Sequence, residues 1–205
     1  MRKIPTLFVR NPETHKIEPI LCDGCDWVLR GEGTATRKVD GTAVLIRNGK
    51  AWKRREVKPG RKAPPDFEHV ETDETTAKEI GWVPILTGDP SDRYFVEAIR
   101  HTEIGVPPPD GRTYELVGPM VQKNTENLDR HTLIPHDSET LRIAAPPRIA
   151  GADPERAFAI LDAYLRNFGH EGIVWHHPDG RRAKIKRRDF GHPWPLNEQK
   201  RSRRR

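Results

Sequence analysis

Asn48-Gly49 falls between two alternating runs, AVLIR and AWKRRE, and this junction constrains the fold more than any other feature of the chain. Asn-Gly is the pair a two-residue type I′ hairpin prefers, because both central residues must take positive φ. Residues 43–47 and 51–56 are therefore expected to be antiparallel neighbours, with 34–38 as a strand before them. A second unit of this kind lies near the end of the sequence. There EGIVWH and RAKIK flank a Pro178-Asp179-Gly180 turn.

Other segments complete an α+β pattern of mainly antiparallel sheets with flanking helices. Ile4–Val9 reads as a first strand with a turn at Asn11-Pro12, GWVPIL as a short apolar segment, and Arg112–Pro119 as a half-buried strand with Glu115 opposite Tyr114 and Leu116. Thr132–Ile134 reads as a brief strand. Pro90–Arg100 has helical spacing with Ser91 as its expected cap. Asp153-Pro154-Glu155 starts a second helix in the order cap, proline, acid, with Gly169 as its expected stop. Lys58–Phe67 and Pro107–Gly111 read as loop and turn.

At 34% hydrophobic and 32% charged over 205 residues, the chain can bury a core, and no apolar run approaches membrane-spanning length. MRKIPTLFVRN carries no long apolar stretch of the secretory kind, so an intracellular (cytoplasmic) protein is expected. The net charge of +6 is uneven: residues 181–205 hold eleven lysines and arginines against Asp189 and Glu198, a local +9 that leaves −3 for the rest. A basic end of this kind suits a polyanion; the final KRSRRR reads equally as a solvated tail.

Cys22 and Cys25 form a CxxC pair. Zinc sites need four ligands, and the neighbouring histidines, His15 and His69, lack the required spacing. Asp-Gly between the cysteines reads as a turn and not as the helix N-terminus a redox pair needs, so a structural or incidental role is expected.

Within RKVDGT, Lys38 and Asp40 would project to one face of an extended strand while Val39 turns inward. Locally this is either a catalytic lysine beside a carboxylate or a strand-end ion pair. Lys184 and Lys186 share a face across Ile185 in the same way. An amphipathic strand produces this pattern without function.

The ordered set is more specific. KVDGT, YELVG, EGIVW and KIK resemble, in that order, the four signatures of the covalent nucleotidyltransferase superfamily, the ATP-dependent polynucleotide ligases and mRNA capping enzymes. The resemblance spans residues 34–188 and is strongest to a compact family of RNA ligases that joins 5′-phosphate and 3′-hydroxyl ends. It implies a nucleotidyltransferase (adenylation) domain of the ATP-grasp-like ligase type over residues 1–190, followed by a basic tail at 191–205. Nineteen residues after KIK are too few for an OB-fold domain, which is therefore not expected.

The resemblance also implies roles. Lys38 would be the adenylated nucleophile, with Asp40 orienting the site or its metal water. Glu115 would bind the ribose hydroxyls, Glu171 would help hold the metal, and Lys184 and Lys186 would contact the ATP phosphates. Arg54 matches an arginine that engages phosphate, Arg55 is its less favoured neighbour, and Lys58 would add to a 5′-phosphate pocket. ATP and Mg2+ (or Mn2+) are the expected cofactors. RNA with 5′-phosphate and 3′-hydroxyl ends is the expected partner, without membrane or obligate protein partners. A free lysine, with a pKa of about 10.4, must lose its proton to attack, and crowding by cations favours that loss. Two departures stand out. Arg37 occupies a position usually given to Glu, and the aromatic that stacks on adenine is unassigned among Trp82, Trp175 and Phe95.

The adenylation motifs leave the acceptor open, so a ligase for nicked DNA or mixed duplexes is an alternative. So is a catalytically inactive RNA-binding protein on the same fold.

Overall fold

The computed structural model describes residues 2–14, 16–102 and 110–196. In chain order the strands are β1 (Phe8–Arg10), β2 (Ile17–Leu21), β3 (Thr34–Lys38), β4 (Thr42–Arg47), β5 (Lys50–Val57), β6 (Glu68–Thr72), β7 (Glu79–Pro84), β8 (Arg112–Val117), β9 (Thr132–Pro135), β10 (Gly172–His176) and β11 (Arg182–Lys186). The α-helices are α1 (Asp26–Leu29), α2 (Arg93–His101) and α3 (Pro154–Asn167). The protein is α+β with antiparallel sheets, as the hairpin pattern requires. Among the described residues, no helix is long and apolar enough to cross a membrane. His15, residues 107–109 of the expected turn, and residues 197–205 of the basic tail lie outside the described residues.

The chain divides into two compact units. One takes Asp40–Ser138 with the start of the chain up to Lys3; the other takes Ile4–Val39 and the chain from Glu139 onward.

The Asp40–Ser138 unit contains a six-stranded sheet in the order β6-β7-β5-β4-β8-β9. Its centre is the expected hairpin: Arg47 opposes Lys50, and Asn48 and Gly49 take φ of 51° and 68°. Alternation sends Val44, Ile46, Tyr114, Leu116 and Leu133 to one face, where Tyr94, Phe95, Ala98 and Ile99 of α2 cover them. The helix begins differently from expectation. Asp89, not Ser91, is the cap: its carboxylate accepts the Ser91 amide at 2.8 Å, and Pro90 opens a short 3-10 turn leading into α2. The wholly buried Asp92 then ties this end down, pairing with Lys53 of β5 and accepting the Leu86 amide at 2.9 Å.

In the other unit, a three-stranded sheet runs β11-β10-β3 beside the β1-β2 ribbon. Ala35, Ile173, Trp175, Ala183 and Ile185 form its inner face and pack with Ala157, Leu161 and Leu165 of α3. Burying each such leucine is worth about 1.5–3 kcal/mol. Asp153 caps α3 as expected, accepting the Arg156 amide at 2.8 Å. Gly169 does not stop it. Phe168 leaves in extended geometry, and the buried Arg187 guanidinium takes the terminal carbonyls instead, donating to Phe168 O at 2.6 Å, Arg166 O at 3.2 Å and Leu165 O. A cation at a helix C-terminus satisfies both the orphan carbonyls and the helix dipole.

The first strand is shorter and later than 4–9. Residues before Phe8 run along β11, with the Lys184 amide donating to Pro5 O at 2.9 Å and the Leu7 amide to Lys184 O at 2.7 Å. Pro5 has only a carbonyl to offer, which keeps this contact from growing into a longer ladder.

Cys22 and Cys25 flank a turn at Gly24 (φ 74°), and Cys25 sits ahead of α1, 1% exposed. Both are free thiols. Burial, with the neighbouring Cys22 and Asp26, pushes the Cys25 thiol up to about 11, so it is a core group and not a nucleophile.

Candidate active site

Lys38 ends β3 and lies directly opposite Gly172 of β10, which in turn lies opposite Lys186 of β11. Directly paired residues share a sheet face, so Lys38 and Lys186 project together. Lys184 joins them two residues along, opposite Val174. This is the face turned away from the α3 core.

Gly172 makes the row possible. A Cβ there would lie 2.1 Å from the Ile185 carbonyl oxygen and 2.8 Å from the Lys186 Cα. Any larger residue would push β11 away. The preceding Glu171 is buried at 6% exposure and places its carboxylate between the amines: Lys38 Nζ is 2.5 Å from Oε2, and Lys186 Nζ is 3.4 Å from Oε1. Asp189 fixes the strand end by accepting the Lys186 amide at 2.8 Å, and it also pairs with Arg10.

Arg37 opposes Ile173, so it lies on the face opposite Lys38. The carboxylate that meets the Lys38 amine comes from Glu171, 133 residues along the chain.

The remaining candidates belong to the Asp40–Ser138 unit. The chain crosses from one unit to the other between Val39 and Asp40, so KVDGT is a crossing rather than a continuous strand. Gly41 packs against β8: a Cβ on it would lie 2.1 Å from Leu116 O and 2.8 Å from the Glu115 Cγ. The Asp-Gly and Glu-Gly pairs thus have one physical cause, a backbone approach that excludes a side chain. The Thr125 hydroxyl donates to Asp40 O at 3.4 Å, and Asn124 braces that loop through both its amide nitrogen, to Leu128 O, and its amide oxygen, from the Leu128 amide.

Glu115 projects from the sheet face opposite α2. Through the register Leu45↔Thr113 and Leu45↔Trp52, that face also carries Trp52 and Arg54. Arg55 points to the other face and is exposed, and Lys58 follows β5 in an exposed turn. Arg54 makes a 3.3 Å ion pair with Glu56. Trp82 and Trp175 are core residues, at 3% and 5% exposure, and Phe95, on α2, packs against the six-stranded sheet.

Sequence reasoning missed His136. It follows β9 and places Nε2 at 2.8 Å from Glu115 Oε2, with Nδ1 at 3.0 Å from the Thr113 hydroxyl. Only the strand register brings these three together.

Among the described residues, no three His, Cys, Asp or Glu side chains gather into a metal cage. A single buried carboxylate beside two lysines fits the way magnesium is usually held, by one or two carboxylates together with substrate phosphates and water.

Residues 97–205 match the RNA ligase 1 family. The matched part is just over half the chain and includes Glu115, Glu171, Lys184 and Lys186. No curated protein matches the chain. The chain belongs to the RNA ligase 1 family, and its function is that of an RNA ligase.

Proposed function

We propose that the protein is a covalent nucleotidyltransferase that self-adenylates on Lys38, passes AMP to an RNA 5′-phosphate and joins that end to a 3′-hydroxyl. The observation that carries this reading is the Lys38–Glu171–Lys186 cluster on one sheet face. It holds a lysine nucleophile, a buried carboxylate and a second cation within 3.4 Å of the carboxylate.

In the first step the Lys38 ammonium gives up one proton, the Nζ lone pair attacks the α-phosphorus of ATP, the bond to pyrophosphate breaks, and the nitrogen gives up a second proton to leave the phosphoramidate N–H. Glu171 keeps Nζ in place and lies within reach of those protons. Lys186 and Lys184 carry the charge that develops on the phosphate oxygens and on leaving pyrophosphate. Glu171 is the carboxylate that would hold the magnesium or manganese ion, whose bound charge would neutralise the phosphates and favour the uncharged amine.

In the second step an RNA 5′-phosphate oxygen attacks the AMP phosphorus and frees Lys38. In the third an RNA 3′-hydroxyl attacks the activated 5′-phosphate and AMP leaves. Glu115 takes the ribose hydroxyls, a role suited to a half-buried carboxylate acceptor. Arg54 takes phosphate, while Asp40 orients the site. Arg55, exposed and off the Glu115 face, and Lys58, exposed after the end of β5, are left to the RNA backbone.

Incubation with α-labelled ATP and magnesium should label the protein. Labelling that persists in Lys38→Ala would refute the assignment.

A further inference from the structure

We infer that His136 is the positioning residue for Glu115. This rests on the reading of Glu115 as the ribose contact.

The register brings them together. His136 continues β9 by one residue, its amide donating to Thr113 O at 3.1 Å. It therefore lies opposite Thr113, on the face that Thr113 shares with Glu115 two residues further along β8. For a neutral ring the chemistry of the three groups leaves one arrangement. A carboxylate can only accept, so His136 Nε2 carries the hydrogen and donates to Glu115 Oε2 at 2.8 Å. In a neutral ring Nδ1 is then the acceptor, and the Thr113 hydroxyl donates to it at 3.0 Å. The Glu115 carboxylate thus sets the ring's tautomer, the Thr113 hydroxyl holds the ring's orientation, and His136 in turn sets the carboxylate's direction. The Glu115 and His136 side chains are 12% and 19% exposed, so water competes weakly for these bonds.

One carboxylate oxygen, Oε2, is held by the ring, which leaves Oε1 to meet a ligand hydroxyl. Without the ring, Glu115 would gain rotamers and lose the fixed approach that a ribose needs. Such a loss acts on nucleotide binding rather than on phosphoryl transfer at Lys38.

The test compares ATP with 2′-deoxy-ATP in self-adenylation by the full chain, for Glu115→Ala, His136→Ala, His136→Gln and the Glu115→Ala/His136→Ala double variant, with thermal melting as a folding control. His136→Ala should raise KM for ATP about tenfold with kcat little changed, the loss expected for one charge-assisted hydrogen bond. It should also erode the preference for ATP. His136→Gln, whose amide can donate in place of Nε2, should restore both. The double variant should be no worse than Glu115→Ala. If His136→Ala keeps a normal KM and preference while Glu115→Ala loses them, the inference is overturned. The same holds if the two effects add in the double variant. If Glu115→Ala keeps its preference for ATP, the ribose reading falls instead, and non-additivity in KM still decides whether His136 positions Glu115.

Discussion

Glu171 Oε2 lies 2.5 Å from Lys38 Nζ although 133 residues separate them. The carboxylate is buried, but the Lys38 and Lys186 side chains are 21% and 32% exposed. Replacing Glu171 with Gln removes the anchor while leaving two amines that water can still reach. Self-adenylation should therefore fall by at least about a hundredfold. The unfolding free energy should change by no more than about 1–2 kcal/mol. Rates from labelled ATP and a urea melt measure the two effects separately.

Gly172 makes the opposite prediction, because its role is spatial. A methyl group placed 2.1 Å from the Ile185 carbonyl forces β10 and β11 apart. Gly172→Ala should cost about 1–3 kcal/mol and slow adenylation by shifting Lys186. A urea melt and a rate measurement on the same preparation check both.

Asp92 lies far in character from the chemistry and tests the fold alone. It is wholly buried, pairs with Lys53 and accepts the Leu86 amide. Asp92→Ala strands a largely buried ammonium and an amide, and should cost about 3–5 kcal/mol in equilibrium unfolding.

The Cys25 thiol has its pKa raised from 9.0 to about 11, first by burial and then by Cys22 and Asp26. A raised folded pKa means the native state holds the proton more tightly than the unfolded chain. The stability this confers is complete below about pH 9 and is lost as pH rises towards about 11. The stability of Cys25→Ala should decline less steeply than wild type across that window, by urea unfolding at a series of pH values.

Much of this architecture was legible in local chemistry. Asn48-Gly49 fixed a hairpin, and Asp153-Pro154 fixed the start of α3, because each carries its own backbone preference. Signals spread over space were not legible. β6, with the polar sequence EHVET, and β2, with its internal proline, lack the alternation that marks a half-buried strand. Ser91 looked like a cap because its position before an apolar run is right, but Asp89 stands before Pro90 and takes that place. The residue types at Lys38, Glu171, Lys184 and Lys186 in one unit, and at Glu115 in the other, were readable as ordered motifs. The Lys38–Glu171 pairing and the Thr113–His136–Glu115 chain depend on strand register, which no single stretch encodes. RKVDGT also read as an extended strand with Lys38 and Asp40 on one face, whereas β3 ends at Lys38 and the chain changes units after Val39.

The most direct test of the central claim is the intact mass of the protein after incubation with ATP and magnesium, followed by peptide mapping. The account predicts a gain of one adenylyl group, located on Lys38, absent from Lys38→Ala and discharged when RNA bearing a 5′-phosphate is added. An unchanged mass in the active protein, or an adenylyl group mapped to another residue, would contradict it.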